Sequence, residues 1–175
     1  TGGVGGSLAA FLALSGKNVT CIARGAHLES IQKIGLKLIS GLKGEHIIPI
    51  KACNAEEYTG KADVIFVCVK GYSIDSIIQL IDRAAHENTI VIPILNVYGT
   101  GPKLQRLVPR VTVLDGCIYI VGFISNPGEI TQMGSIFRIV FGAHKGTRVM
   151  PGLLEAVQKD LQESGIKAEI SDDIN

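Results

Sequence analysis

The sequence predicts an α/β fold: a doubly wound, mostly parallel sheet with an antiparallel hairpin added late. Three observations carry this. Short apolar runs rich in β-branched residues alternate with segments of helical periodicity, the pattern of strands wound through crossover helices. Two of the runs, 64–69 and 90–95, are apolar without a break, as in parallel strands buried on both faces. The chain also opens on Thr1-Gly2-Gly3-Val4-Gly5-Gly6, a glycine-rich turn leading straight into a helix.

Taken in order, residues 4–14 place Val4, Leu8, Phe11 and Leu12 at helical spacing and stop at Ser15-Gly16. Residues 18–23 form a short uncharged strand, and residues 26–34 a second helix ending at Gly35. Residues 36–40 and 46–51 flank the turn residues Gly41 and Gly44 and predict a small inserted hairpin. The alternation then resumes with a strand at 63–69 and a helix at about 73–85, with Ile74, Ile77, Ile78 and Ile81 on one face. A strand at 89–95, a short helix at 102–107 and a long strand at 111–121 follow. Asn126-Pro127-Gly128 marks a turn, and residues 129–132 and 136–141, separated by Met133-Gly134-Ser135, read as an antiparallel pair. A last amphipathic helix at 149–163 and a strand at 167–170 complete the pattern.

Composition narrows the function classes. With 175 residues, 46% of them hydrophobic, the chain can bury the core of one domain. Lys and Arg number 17 against 16 Asp and Glu, which argues against a basic face for nucleic acid. The apolar runs are strand-length, far short of the roughly 20 residues of a membrane span. Cys21, Cys53, Cys68 and Cys117 show no C-x-x-C spacing and read as reduced thiols of a cytoplasmic protein. His27, His46, His86 and His144 lack ligand spacing, so no metal is expected, and Ser125 lacks the setting of an activated nucleophile. The opening without a methionine implies a preceding segment that carries the first strand.

If a glycine precedes Thr1, the motif G-x-G-x-x-G reads as that glycine, Thr1, Gly2, Gly3, Val4 and Gly5. Gly2 would then let the backbone approach a pyrophosphate, and Gly5 would allow tight helix-to-strand packing. The amides near Gly3 and Val4 would face the anion. A glycine-rich loop that merely caps a helix is the alternative, and the length of the βαβ unit that follows favours the dinucleotide reading. Arg24 lies 22 residues after Gly2, where an NAD site would carry an acid for the ribose hydroxyls. A guanidinium there matches a 2′-phosphate in charge and geometry and favours NADP over NAD, although a solvated strand-end arginine fits the same spacing. Lys70 and Asn96 follow two buried strands at their carboxyl ends, where open α/β sheets place ligands. Each also has an ordinary reading, a surface lysine and a turn-forming asparagine.

Gly2-Gly3-Val4-Gly5-Gly6, Ile22-Ala23-Arg24-Gly25-Ala26-His27-Leu28, Val67-Cys68-Val69-Lys70-Gly71-Tyr72, Leu95-Asn96 with Gly99, and Asn126-Pro127-Gly128-Glu129-Ile130 stand in an order and spacing that resemble the ketopantoate reductases. The resemblance implies a Rossmann-type NADP-binding domain over residues 1–170, with residues 171–175 beginning a linker to a helical second domain. It implies NADPH-dependent reduction of 2-dehydropantoate to pantoate, a step toward pantothenate and coenzyme A. By the same resemblance the glycine loop holds the pyrophosphate, Arg24 the 2′-phosphate and Lys70 the nicotinamide ribose. Asn96 would touch nicotinamide and substrate, and the backbone at Gly122 would line the cofactor. The family's usual Gln-Asn-Gly is here Leu95-Asn96-Val97, and its general-acid lysine belongs to the second domain rather than to this chain. A reductase of another 2-keto acid and a non-catalytic NADP-binding sensor stay open as alternatives. The partners expected are a small 2-keto acid and, as one option, a second copy of the chain, with no nucleic acid or membrane.

Overall fold

The computed structural model describes residues 1–172 and 174. In chain order its elements are α1 (Gly3–Leu14), β1 (Thr20–Ile22), α2 (Gly25–Ile34), β2 (Leu36–Ser40), β3 (Gly44–Ile48), β4 (Lys51–Cys53) and β5 (Val64–Val67). There follow α3 (Ile78–Ala84), β6 (Ile90–Pro93), α4 (Thr100–Leu107), β7 (Thr112–Val113), β8 (Asp115–Asn126), β9 (Glu129–Gly142), α5 (Leu153–Glu163) and β10 (Lys167–Ile170). Among these residues no helix is long and apolar enough to cross a membrane.

The predicted parallel pairing is present. β1 pairs with β4, and β5, β6 and β7 form a parallel sheet in that order. The third sheet is built on the 14-residue β9. β8 runs antiparallel along one edge of it, while β2 and β10 lie parallel to its other edge at opposite ends, β2 against Glu129–Gln132 and β10 against Arg138–Phe141.

This arrangement corrects the hairpin expected within 129–141. The turn at Asn126-Pro127-Gly128 is real, and it joins β8 to β9. Met133-Gly134-Ser135 is not a second turn but the site of a register shift, since Val121 opposes Met133 whereas Tyr119 opposes Arg138. β9 thus carries extra residues there and bends without reversing. The buried Gln132 holds the bend: its Nε2 donates to the carbonyls of Met133 and Gly134, and its Oε1 accepts from Ser40 Oγ at 2.6 Å. Ser40 Oγ also accepts from the amides of Leu42 and Lys43, so one satisfied polar cluster fixes both the bend and the β2–β3 turn.

Further expectations change in detail. The hairpin strand expected at 46–51 ends at Ile48, and Lys51 opens β4, which pairs with β1 in another sheet rather than with β2. The strand expected at 111–121 splits at Leu114, whose amide still bonds to Val91 O before the chain leaves β6 and joins β9 as β8. The helix expected from residue 73 becomes α-helical only at Ile78, after two 3₁₀ turns at Gly71–Ser73 and Asp75–Ile77. The Ser76 side chain competes for a backbone group there, its Oγ donating to Ser73 O. Part of the linker expected at 171–175 lies outside the described residues.

Helix α1 sits at the centre because it is apolar all round and small. Residues Gly6 to Phe11 are all buried, and Phe11 meets Phe137 of β9 edge to face at 4.8 Å between ring centres. A second cluster, with Val67, Ile81, Val91 and Leu104, lies between the β5–β6–β7 sheet and helices α3 and α4. The amino end of α1 is pressed onto β8, so that a Cβ at Gly3 would stand 2.3 Å from Gly122 O and 2.4 Å from the Phe123 Cα.

Two outcomes follow from this packing. Gly3→Ala gains at most about 1 kcal/mol of helix propensity but overpacks backbone against backbone, which costs about 1–3 kcal/mol. Denaturant unfolding is therefore expected to give a lower midpoint for the variant. The second concerns Glu129 at the start of β9. The Lys37 ammonium, then Ser125 and Asn126, hold its carboxyl well below the usual 4.5, at about 2. A depressed carboxylate contributes stability above its unfolded pKa and loses it as pH falls through the folded one. Acid unfolding of the wild type should thus show a loss between about pH 4.5 and 2 that is absent in Glu129→Gln.

Candidate functional site

The carboxyl ends of β1, β5 and β6 and the amino end of α1 carry the residues singled out from sequence. Gly2 is the N-cap of α1, in extended conformation with no side-chain cap, and the first turn contains no acid. The first intrahelical bond of the turn runs from Gly6 N to Gly2 O, which leaves the preceding amides of the helix mouth outside that ladder. A Cβ on Gly2 would meet nothing within 4 Å, so the mouth is open. At Gly5 a Cβ would stand 3.1 Å from Cys68 Cβ, so α1 rests closely on the end of β5.

Thr1 Oγ1 donates to Ile22 O at 2.8 Å and ties the glycine turn to the end of β1. Two residues on, Arg24 is exposed in extended conformation at the N-cap of α2. Among the described residues its guanidinium has no carboxylate partner. Lys70 is exposed at the start of the first 3₁₀ turn, where its carbonyl accepts from Ser73 N. Asn96 lies in the loop three residues past β6 and is exposed. Its loop is held by Thr100 Oγ1, which donates to Val97 O at 2.6 Å, rather than by the asparagine side chain. The Lys70 and Asn96 loops touch, since a Cβ on Gly71 would lie 3.1 Å from Val97 Cγ2.

Gly122 falls beside the helix mouth. A Cβ there would stand 2.8 Å from the buried Ser7 Oγ and 3.2 Å from Gly3 O. The sequence thus named groups that the fold gathers along one edge: the glycine turn with Gly122, Arg24 to one side, Lys70 and Asn96 to the other. Around the last two stand exposed side chains, Tyr72 and Tyr98 at 88% and 90% exposure and Val97 at 51%, of which sequence reasoning missed Tyr98. Also missed was His27, whose Nδ1 accepts from Gly128 N at 2.9 Å and so links α2 to the β8–β9 turn, with burial lowering its pKa. The His27 contact could not be read locally, because its partner lies 101 residues away in sequence.

The chemistry open to this edge is binding and orientation. Cys68 faces α1, and burial pushes its thiol up to about 12, which makes it a core residue rather than a nucleophile. Among the described residues no three His, Cys, Asp or Glu side chains gather as metal ligands. A depression of about 460 Å³ lined by Asp82, His86, Glu87 and Arg110 lies at the opposite, amino-terminal end of β6 and β7, away from these groups.

Known proteins are similar along the whole chain. The profile of the family described as Ketopantoate reductase PanE/ApbA matches residues 1–146. The protein named "Uncharacterized oxidoreductase YkpB" of Bacillus subtilis is 32% identical over 169 residues, 97% of this chain and 54% of that protein. The solved 2-dehydropantoate 2-reductase of Porphyromonas gingivalis superposes with a TM-score of 0.86 at 30% identity, over 99% of this chain and 62% of that one. A D-mandelate dehydrogenase solved with NADH and anilino(oxo)acetate shares the fold, with a TM-score of 0.84 at 22% identity over 98% of this chain and 54% of that one. The chain spans about half the length of the curated relatives it matches. A matched segment of this extent, on an α/β fold with its glycine turn at the mouth of the first helix, places the chain in the ketopantoate reductase PanE/ApbA family.

Proposed function

We propose that this chain is the cofactor-binding half of an NADPH-dependent reductase of a 2-keto acid, with 2-dehydropantoate as the first substrate to test. The observation that carries the proposal is the uncapped, open mouth of α1 at Gly2, with Arg24 beside it and no carboxylate paired with it among the described residues. A pyrophosphate fits the free amides and the positive end of the helix dipole, and a 2′-phosphate fits a guanidinium with no competing carboxylate. The backbone at Gly122, packed on Gly3, would close the same wall.

Bound there, the cofactor would supply the hydride. The chain's own residues bind and orient: Lys70 would hold the nicotinamide ribose, and the Asn96 amide would donate to the substrate. The proton for the ketone oxygen would come from an acid in the half that the relatives have and this chain does not span. Lys70 and Asn96 would in this sense be the catalytic contacts of the chain.

A second reading keeps the chemistry and changes the substrate. Leu95 and Val97 flank Asn96, and Tyr72 and Tyr98 stand exposed beside it, a setting that favours an apolar or aromatic keto acid. The fold-relative solved with anilino(oxo)acetate supports that reading. Turnover compared across 2-dehydropantoate, an aromatic and a branched aliphatic 2-keto acid would decide between the two.

Arg24→Ala is expected to abolish a preference for NADPH over NADH worth about 1.5–3 kcal/mol, the value of a charge-assisted contact. Fluorescence titration of both cofactors measures it, and a wild type without preference, or a variant that keeps one, refutes the assignment. In a protein that carries both halves, Asn96→Ala should lower kcat/KM for the keto acid while leaving cofactor affinity near that of the wild type. Lys70→Ala should weaken the cofactor instead. Wild-type kinetics in both variants would return these residues to the roles of surface lysine and turn asparagine.

A further inference from the structure

The loop that carries Asn96 runs from Leu95 to Gly99 between two anchors. The upstream anchor is the sheet itself, where Ile94 N bonds to Val67 O at 3.0 Å. The downstream anchor is the first turn of α4, and it is held from outside. The N-cap of α4 is Gly99, which has no side chain to cap the helix. Its place is taken by Asp115 from β8, whose Oδ1 accepts from Gly101 N at 3.0 Å. A carboxylate at a helix amino end is favoured by both the free amide and the dipole. The fit is close, because a Cβ on Gly101 would lie 2.3 Å from that same Oδ1.

The second oxygen of Asp115 is also fixed. Oδ2 faces His144 Nε2, on the segment after β9, a contact that is an ion pair when the imidazole is protonated, and both atoms are sealed from solvent. The side chains are 18% and 30% exposed, so the pair is largely withdrawn from water. Next to it, Gly116 is wedged over the end of β6, where a Cβ would meet Pro93 O at 3.0 Å. Three segments far apart in sequence, at 99–101, 115–116 and 142–144, therefore meet directly behind the Asn96 loop.

We propose that Asp115, oriented by His144, is a positioning residue that sets the Asn96 loop for the substrate, a reading that rests on the role proposed for Asn96. The carboxylate does not reach the substrate. It fixes the start of α4, and with it the Thr100 hydroxyl that bonds to Val97 O and holds the loop one residue past Asn96. Further along the same strand, Gly122 packs against the mouth of α1. β8 thus braces both the substrate loop and the cofactor loop, and Asp115 belongs to the substrate end.

The test uses steady-state kinetics with NADPH and 2-dehydropantoate on a protein that carries both halves, comparing Asp115→Ala, Asn96→Ala and the double variant, with NADPH affinity titrated separately. Misplacing a substrate contact by a fraction of an ångström to an ångström lowers turnover by about ten- to a hundredfold. Asp115→Ala should therefore reduce kcat/KM by about tenfold or more while the NADPH dissociation constant stays within twofold of wild type. The loss should largely vanish in the Asn96→Ala background, because the residue acts through Asn96. His144→Gln, which keeps a polar side chain opposite Asp115 but cannot be protonated, should show a smaller loss of the same kind. Gly101→Ala reaches the same carboxylate from the helix side and serves should Asp115→Ala not fold. An Asp115 variant with kcat/KM within twofold of wild type, an equal loss in both backgrounds, or a parallel loss of NADPH affinity would overturn the proposal. Wild-type activity in Asn96→Ala alone would instead overturn the reading of Asn96 on which it rests.

Discussion

The close approach of α1 to β8 at Gly3 and Gly122 is the constraint on which the rest of the molecule is built. Two backbones come near enough that neither residue tolerates a Cβ without displacement, and this contact puts the mouth of the central helix against the strand that also carries Asp115. The helix can lie so deep because its buried stretch is built of glycine, serine, alanine and two large apolar residues, with the Ser7 hydroxyl satisfied by Gly3 O. A helix with larger side chains on that face would stand off the sheet and leave the proposed cofactor edge wider.

The long strand β9 solves a second problem, that of joining sheet segments of different direction. One edge takes β8 throughout, and the other is shared between β2 and β10 at opposite ends. Sharing an edge calls for a bend between the two partners, and a bend takes carbonyls out of the strand ladder. Gln132 supplies the missing donors, and Ser40 completes its own bonding. A buried polar pair is retained here because every group in it is satisfied.

The proposed site divides accordingly. Its cofactor side rests on rigid contacts, the α1 mouth against β8 and Thr1 against β1, while its substrate side is a pair of touching loops with exposed apolar side chains. Loops carry specificity most easily when they are fixed from behind by packed elements, and the carboxylate of Asp115 has the geometry for that task.

Periodicity, β-branched runs and turn residues are local signals, and they sufficed for the α/β class, for most of the order of elements, with β4 and the β7–β8 division unread, and for the placing of Arg24, Lys70 and Asn96 at strand ends. Lys167–Ile170 and Leu36–Ser40 were readable to the residue, since each is bounded by glycine or a change of charge. Tertiary structure alone decided that β9 pairs with β8 rather than folding back at Gly134, that the strand at 111–121 breaks at Leu114 to change sheets, and that the helix after Lys70 starts as 3₁₀ turns. It alone brought Gly101, Asp115 and His144 together. The physical reason is the same in each case: strand partners and side-chain contacts are chosen by groups distant in sequence, competing for the same edge or the same amide, and no short window along the chain contains both competitors.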